Sequence, residues 1–216
     1  MHLYVGRLRR LLEAMMRRSR ARSAAFTLIE LMVVVALIAV ILVLAAPSFR
    51  DMILMQRLRG INAQVVADLA YARSEAISRD TFVQVRFQTS TTTTPPMTCY
   101  IIFSRLNRND TPQCDCTAAV GSRCADPSTV EVRTAQMPTS DSVIVAPQTA
   151  GLDFYTIDPR TGGLVLPAVD DPNIPVDRFP IRAYIDPSRE FVDVVGLSGR
   201  IKVCAPTLST VGAGPC

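Results

Sequence analysis

Glu30 is the one charged residue in an otherwise uncharged run, FTLIELMVVVALIAVILVLAAP, from Phe26 to Pro47. A carboxylate at the edge of such a run is costly unless an opposite charge meets it, so its natural chemistry is ion pairing. A second set of reactive side chains is the six cysteines, 99, 114, 116, 124, 204 and 216, all of which follow that run. A third is the closing stretch GLSGRIKVC, in which alternation along a strand puts Arg200 and Lys202 on one face. Arg182 and Arg189, on strands expected next to it, would extend that face into a cationic ridge able to neutralise phosphate.

Catalytic chemistry finds no comparable set. The single histidine is His2, and the chain has no nucleophile elbow, no phosphate-binding glycine loop and no recognisable metal-ligand set. The stretch RTGG at 160–163 reads as a turn. The expectation is a protein that is not an enzyme and needs no cofactor. Four thiolates among Cys99, Cys114, Cys116 and Cys124 could hold zinc, but the C-x-C spacing departs from the usual ligand spacing. Two disulfides among these four are expected instead, and six cysteines allow 15 connectivities.

The elements that carry these residues follow from charge and periodicity. Of 23 basic and 19 acidic residues, seven arginines and one acid (Glu13) lie in residues 1–25. The remainder has 16 basic and 18 acidic residues, so overall charge does not argue for a nucleic-acid partner. A basic leader before an apolar segment places the leader in the cytoplasm and the cysteines beyond the membrane, where disulfides persist. The 21 residues from Phe26 to Ala46 would span about 32 Å as a helix, roughly one hydrocarbon core. LAAPSF could pass as the cleavage site of a secretory signal, but the apolar core is long for one and Glu30 argues against it.

Apolar residues then recur at Phe49, Met52, Ile53, Leu58, Ile61, Val65, Leu69, Ala72 and Ala76, which predicts one long helix from Phe26 to about Ser78. Strand patterns follow at 81–87, 99–103, 129–134, 142–146, 152–157, 180–186, 190–197 and 200–204, with a hairpin at PSR. TSTTTTPP (89–96) and PAVDDPNIP (167–175) read as polar loops.

The basic leader followed by FTLIEL and the apolar run resembles the type IV pilin and type II secretion pseudopilin family. LAYARSEA, at Leu69–Ala76, is similar to the L-x-x-AR-x-EA stretch of its GspH/FimT branch. The resemblance implies the pilin fold: α+β, with a long N-terminal transmembrane helix packed against a C-terminal antiparallel β-sheet domain. It implies a cleaved leader at 1–25, a membrane and assembly helix at 26–47, its amphipathic continuation at 48–79 and a disulfide-containing domain at 80–216. A prepilin peptidase would cut between Ala25 and Phe26, where the family usually has Gly before the cut, and the new terminus would be methylated. Glu30 would pair with the amino group of Phe26, in its own or a neighbouring subunit, and set the register of assembly. Cys204 and Cys216 would close the C-terminal tail.

Gly199 and Arg200 match the Gly-Arg-x-Arg element of FimT-type minor pilins associated with DNA uptake, with Lys202 in place of the second Arg. This implies other pilins, the bacterial inner membrane and double-stranded DNA as partners. The amino terminus would be cytoplasmic and the β domain periplasmic, reaching the cell surface after assembly. The alternatives are a purely structural minor pilin that initiates assembly, and a GspH-type pseudopilin of type II secretion.

Overall fold

The computed structural model describes residues 27–106, 114–167, 177–206 and 211–216, without the side chains of 44–47. Ala25 and Phe26 and most of the 167–175 loop lie outside the described residues. The chain divides into two compact units, one up to Phe49 and one from Arg50.

Helix α1 spans Leu28–Arg79. Thr27 caps its start: its hydroxyl accepts from the Glu30 N–H at 3.2 Å and its carbonyl from the Leu31 N–H at 3.2 Å. In the first unit the described leucine, isoleucine and valine side chains from Leu28 to Val43 are all exposed, the pattern of a helix apolar all round. Among the described residues no single helical segment is long and apolar enough to cross a membrane, while Leu28–Val43 and Ser48–Arg79 taken as a pair meet that test by length and composition only.

In the second unit α1 buries Leu58, Val65, Leu69, Ala72 and Ala76, positions three, four or seven apart that share one face. Phe49, Met52 and Ile53, expected on the same stripe, are exposed instead. The helix ends where Asp80 turns left-handed (φ 49°) and the Thr81 N–H reaches back to the Ala76 carbonyl at 3.3 Å, a Schellman-type stop.

Among the described residues nine strands follow, in two antiparallel sheets. One has the order β3-β2-β1-β5-β6: β1 (Phe82–Ser90), β2 (Met97–Arg105), β3 (Val130–Pro138), β5 (Phe154–Ile157) and β6 (Leu164–Val165). The other has the order β4-β7-β8-β9: β4 (Ile144–Pro147), β7 (Arg178–Asp186), β8 (Arg189–Gly196) and β9 (Ile201–Cys204). The strand β6 was not foreseen, because two residues are too few to show alternation.

The main core joins the helix stripe to Val83, Val85 and Phe87 of β1 and to Phe179, Ile181 and Ala183 of β7. Phe179 ties the sheets together, with ring centroids 5.8 Å from Phe87 and 4.9 Å from Tyr155. The far face of β2 is buried too, with Cys99, Ile101 and Phe103 packed with Cys114 and Cys116. A disulfide-stapled loop therefore serves as the lid of a second small core. The pairs are Cys99–Cys116, Cys114–Cys124 and Cys204–Cys216, and no cysteine is free. With every thiol oxidised, the zinc alternative has no ligands left.

A buried polar link also joins helix to sheet. Asp68 of α1 accepts from the Tyr100 hydroxyl at 2.6 Å and pairs with Arg133 Nε at 2.8 Å. Burial, then the neighbouring carboxylate, push the Tyr100 phenol well above its usual range.

Candidate functional site

Glu30 stands in the first turn of α1, three residues after its cap. The spacing Thr27-x-x-Glu30 before an apolar run is that of a capping box, a signal the assembly reading of Glu30 had passed over. An acid in the first turn also suits the positive end of the helix dipole. Both effects favour a carboxylate beside the helix's free N–H groups, at the end where the chain continues to Phe26.

The cations of the second sheet sort into two groups. Arg182 of β7 forks onto Glu190 of β8, with its second hydrogen bond at 3.2 Å, and its guanidinium lies 4.7 Å from the Tyr184 ring centroid. Arg189 pairs with Asp186 and with Asp51 of the helix at 3.2 Å. Ser188 and Arg189 hold the Asp186 carboxyl down to about 2. The charges of Arg182 and Arg189 are thus already met by carboxylates.

Arg200 and Lys202 are exposed, and no ion pair holds either among the described residues. β9 begins at Ile201, so Arg200 belongs to the turn before the strand rather than to the strand itself. Register adds a cation that the sequence reading had not singled out. Lys202 opposes Val194, which opposes Pro180, while Arg178 opposes Gly196, whose N–H donates to the Arg200 carbonyl at 3.0 Å. Glycine at 196 leaves the space between Arg178 and Arg200 open. Arg178 lies 3.4 Å from its neighbour Asp177, a solvent-exposed pair of little strength. A register shift between Tyr184 and Asp186 means that counting back from the hairpin would not have set Arg178 opposite Gly196.

Beside these cations the outer face of the sheet forms an open groove of about 750 Å³. Pro180, Val192 and Val194 contribute to its lining, with Lys202 and Arg178 also bordering it and the Cys204–Cys216 disulfide along one side. The tail is held there by the Ala205 N–H to the Gly214 carbonyl at 2.8 Å and the Cys216 N–H to the Ala205 carbonyl at 3.2 Å.

Gly199 has a different part from the one expected of it. Its φ is +72°, and a Cβ there would sit 2.1 Å from the Gly162 carbonyl oxygen. Two turns touch at this point, the one around Gly162 and the one between β8 and β9, joined also by the Leu164 N–H to the Leu197 carbonyl at 2.9 Å. Arg73 of the helix packs beneath both. Arg73 therefore packs the helix end against these late turns, and Glu75 pairs with Arg79. Nor do the acids near the ridge neutralise Lys202 and Arg200: Asp186 and Glu190 are taken by arginines, and Asp193 points into the core.

A helix with an acid in its first apolar turn, continuing under antiparallel sheets, defines a chain of the type IV pilin and pseudopilin class. Residues 20–46 match the prokaryotic N-terminal methylation motif, and residues 63–168 match the type II transport protein GspH family. The chain belongs to the GspH/FimT branch of that class, a family of structural proteins. No curated protein matches it. The crystal structure of the type IV minor pilin FimU of Pseudomonas aeruginosa is similar at 14% identity and a TM-score of 0.45, over 70% of this chain and 94% of that one. The methylation motif implies processing by a prepilin peptidase and assembly with other pilins.

Proposed function

We propose that this chain is a minor type IV pilin whose outer β4–β9 sheet face binds the phosphate backbone of duplex DNA. The observation that carries the reading is the row of Arg178, Arg200 and Lys202 around Val194 and Gly196, exposed and held by no strong ion pair. Phosphate recognition of this kind is largely independent of sequence and weakens with salt. Among the described residues none of the side chains lining the groove is aromatic, which favours a duplex over stacked single strands.

The test is binding of duplex DNA by the full chain in detergent micelles, oxidised, over a series of salt concentrations. Arg178→Ala/Arg200→Ala/Lys202→Ala is expected to weaken binding at least tenfold and to flatten the log–log salt slope by about 0.9 for each phosphate no longer neutralised. Arg182→Ala and Arg189→Ala are expected to change little, since those charges are already paired. Equal affinity of wild type and triple variant would leave the purely structural reading in place, a reading that the pairing of Arg182 and Arg189 favours.

The leader at 1–25 is cut before Phe26, and residues 26–47 hold the chain in the inner membrane with the β domain outside. Glu30 pairs with the new amino group and sets register in the filament. The position of Glu30 in the capped first turn supports this, because it puts the carboxylate at the end of the helix that the cut exposes. Glu30→Ala is expected to insert in the membrane normally but to fall at least tenfold in sheared filaments, measured by immunoblot of both fractions. Normal amounts in filaments would refute the pairing.

A further inference from the structure

Asp193 of β8 is a carboxyl with no exposed surface, and it faces Asn62 of the helix, itself 5% exposed. The two share one hydrogen bond, from Asn62 Nδ2 to Asp193 Oδ1 at 3.4 Å. The other oxygen of each, Asp193 Oδ2 and Asn62 Oδ1, is buried with no partner among the described residues. Two acceptor oxygens without a proton between them would leave both unsatisfied, and an anion here would have one weak hydrogen bond in place of its water. One added proton removes both defects.

We infer that Asp193 is carried in the folded chain as a neutral carboxylic acid that donates to Asn62 Oδ1 while accepting from Asn62 Nδ2. This acid–amide pair clamps β8 to the helix and loosens when the acid ionises.

Among the described residues the surroundings offer no competing charge. On β7 the residue opposite Asp193 is Ile181, and on β9 it is Val203. Arg182, Glu190 and Lys202 alternate to the outer face of the sheet. On the helix, Asp68 is taken by Tyr100 and Arg133, and Arg59, one turn before Asn62, donates to the Val211 carbonyl at 3.4 Å. Burial accordingly pushes the Asp193 carboxyl up to about 7, with the Asn62 hydrogen bond only partly opposing it. The folded state then holds a proton that the unfolded state has released at any pH between the ordinary aspartate value and about 7. Stability from this group is therefore full in acid, falls as pH rises through that interval, and is level above it. The clamp is independent of what the outer face of the sheet binds.

The experiment is carbon-13 NMR of the aspartate carboxyls in the oxidised full chain in micelles, assigned with Asp193→Asn, together with thermal unfolding across the same pH range. One carboxyl resonance should titrate near 7 and be missing from the variant. The wild-type midpoint should drop by about 5–10 °C between mild acid and pH about 8. Asp193→Asn, which keeps both hydrogen bonds as an amide–amide pair, should lack that drop and exceed wild type at the alkaline end. An Asp193 resonance that titrates in the ordinary carboxylate range would overturn the inference, even if the variant fails to fold. So would a variant whose midpoint follows the wild-type pH curve.

Discussion

Gly199→Ala is expected to lower the stability of the globular unit by about 2–5 kcal/mol, measured as a shift in urea midpoint at unchanged slope. Two effects add. A residue with a Cβ held at φ +72° is disfavoured by about 1–2 kcal/mol. The new carbon would also meet the Gly162 carbonyl at 2.1 Å, and backbone cannot swing aside as a side-chain tip can. Overpacking of that kind adds about 1–3 kcal/mol. Gly212 is the internal control: its φ is +83° but a Cβ there has nothing within 4 Å. Gly212→Ala should carry only the backbone share, about 1–2 kcal/mol. Equal losses at the two positions would show that the two turns do not touch as described.

Asp68→Ala should cost about 1–3 kcal/mol, measured by denaturant unfolding. It strips the buried Tyr100 hydroxyl of its acceptor and leaves Arg133 without its partner. Arg133 is half-exposed and can turn to water, so most of the loss falls on Tyr100. Asp68→Ala/Tyr100→Phe should therefore be more stable than the sum of the two single variants implies, by about 1–2 kcal/mol, because no orphaned hydroxyl remains. Strict additivity would mean that the two groups do not depend on each other.

Much of the architecture was legible because it rests on short-range periodicity. The buried stripe Leu58, Val65, Leu69, Ala72 and Ala76 is visible from spacing alone, and the strand runs from 81 to 204 recur as β1–β5 and β7–β9 within a few residues. The stripe stops short of Phe49, Met52 and Ile53 because periodicity marks a face of a helix without saying how far a partner extends along it. One sheet was as consistent with the patterns as two, since alternation shows that a strand has an inner face but not which strand lies beside it. The capping pair Thr27 and Glu30 was present in the letters, and the functional reading of Glu30 hid it.

By itself the sequence determined the apolar segment with its single acid, the long helix and the β-rich remainder that carries every cysteine. Each of these depends on composition or on neighbours a few residues apart. The tertiary structure decided which cations carboxylates neutralise, because Glu190 and Asp186 meet Arg182 and Arg189 while register sets Arg178 in the row with Arg200 and Lys202. It also turned Asp193 inward to Asn62, 131 positions away, and set Gly199 against the Gly162 carbonyl. Those outcomes depend on what stands across a sheet or beneath a turn, and chain spacing carries no information about that until the strands are paired.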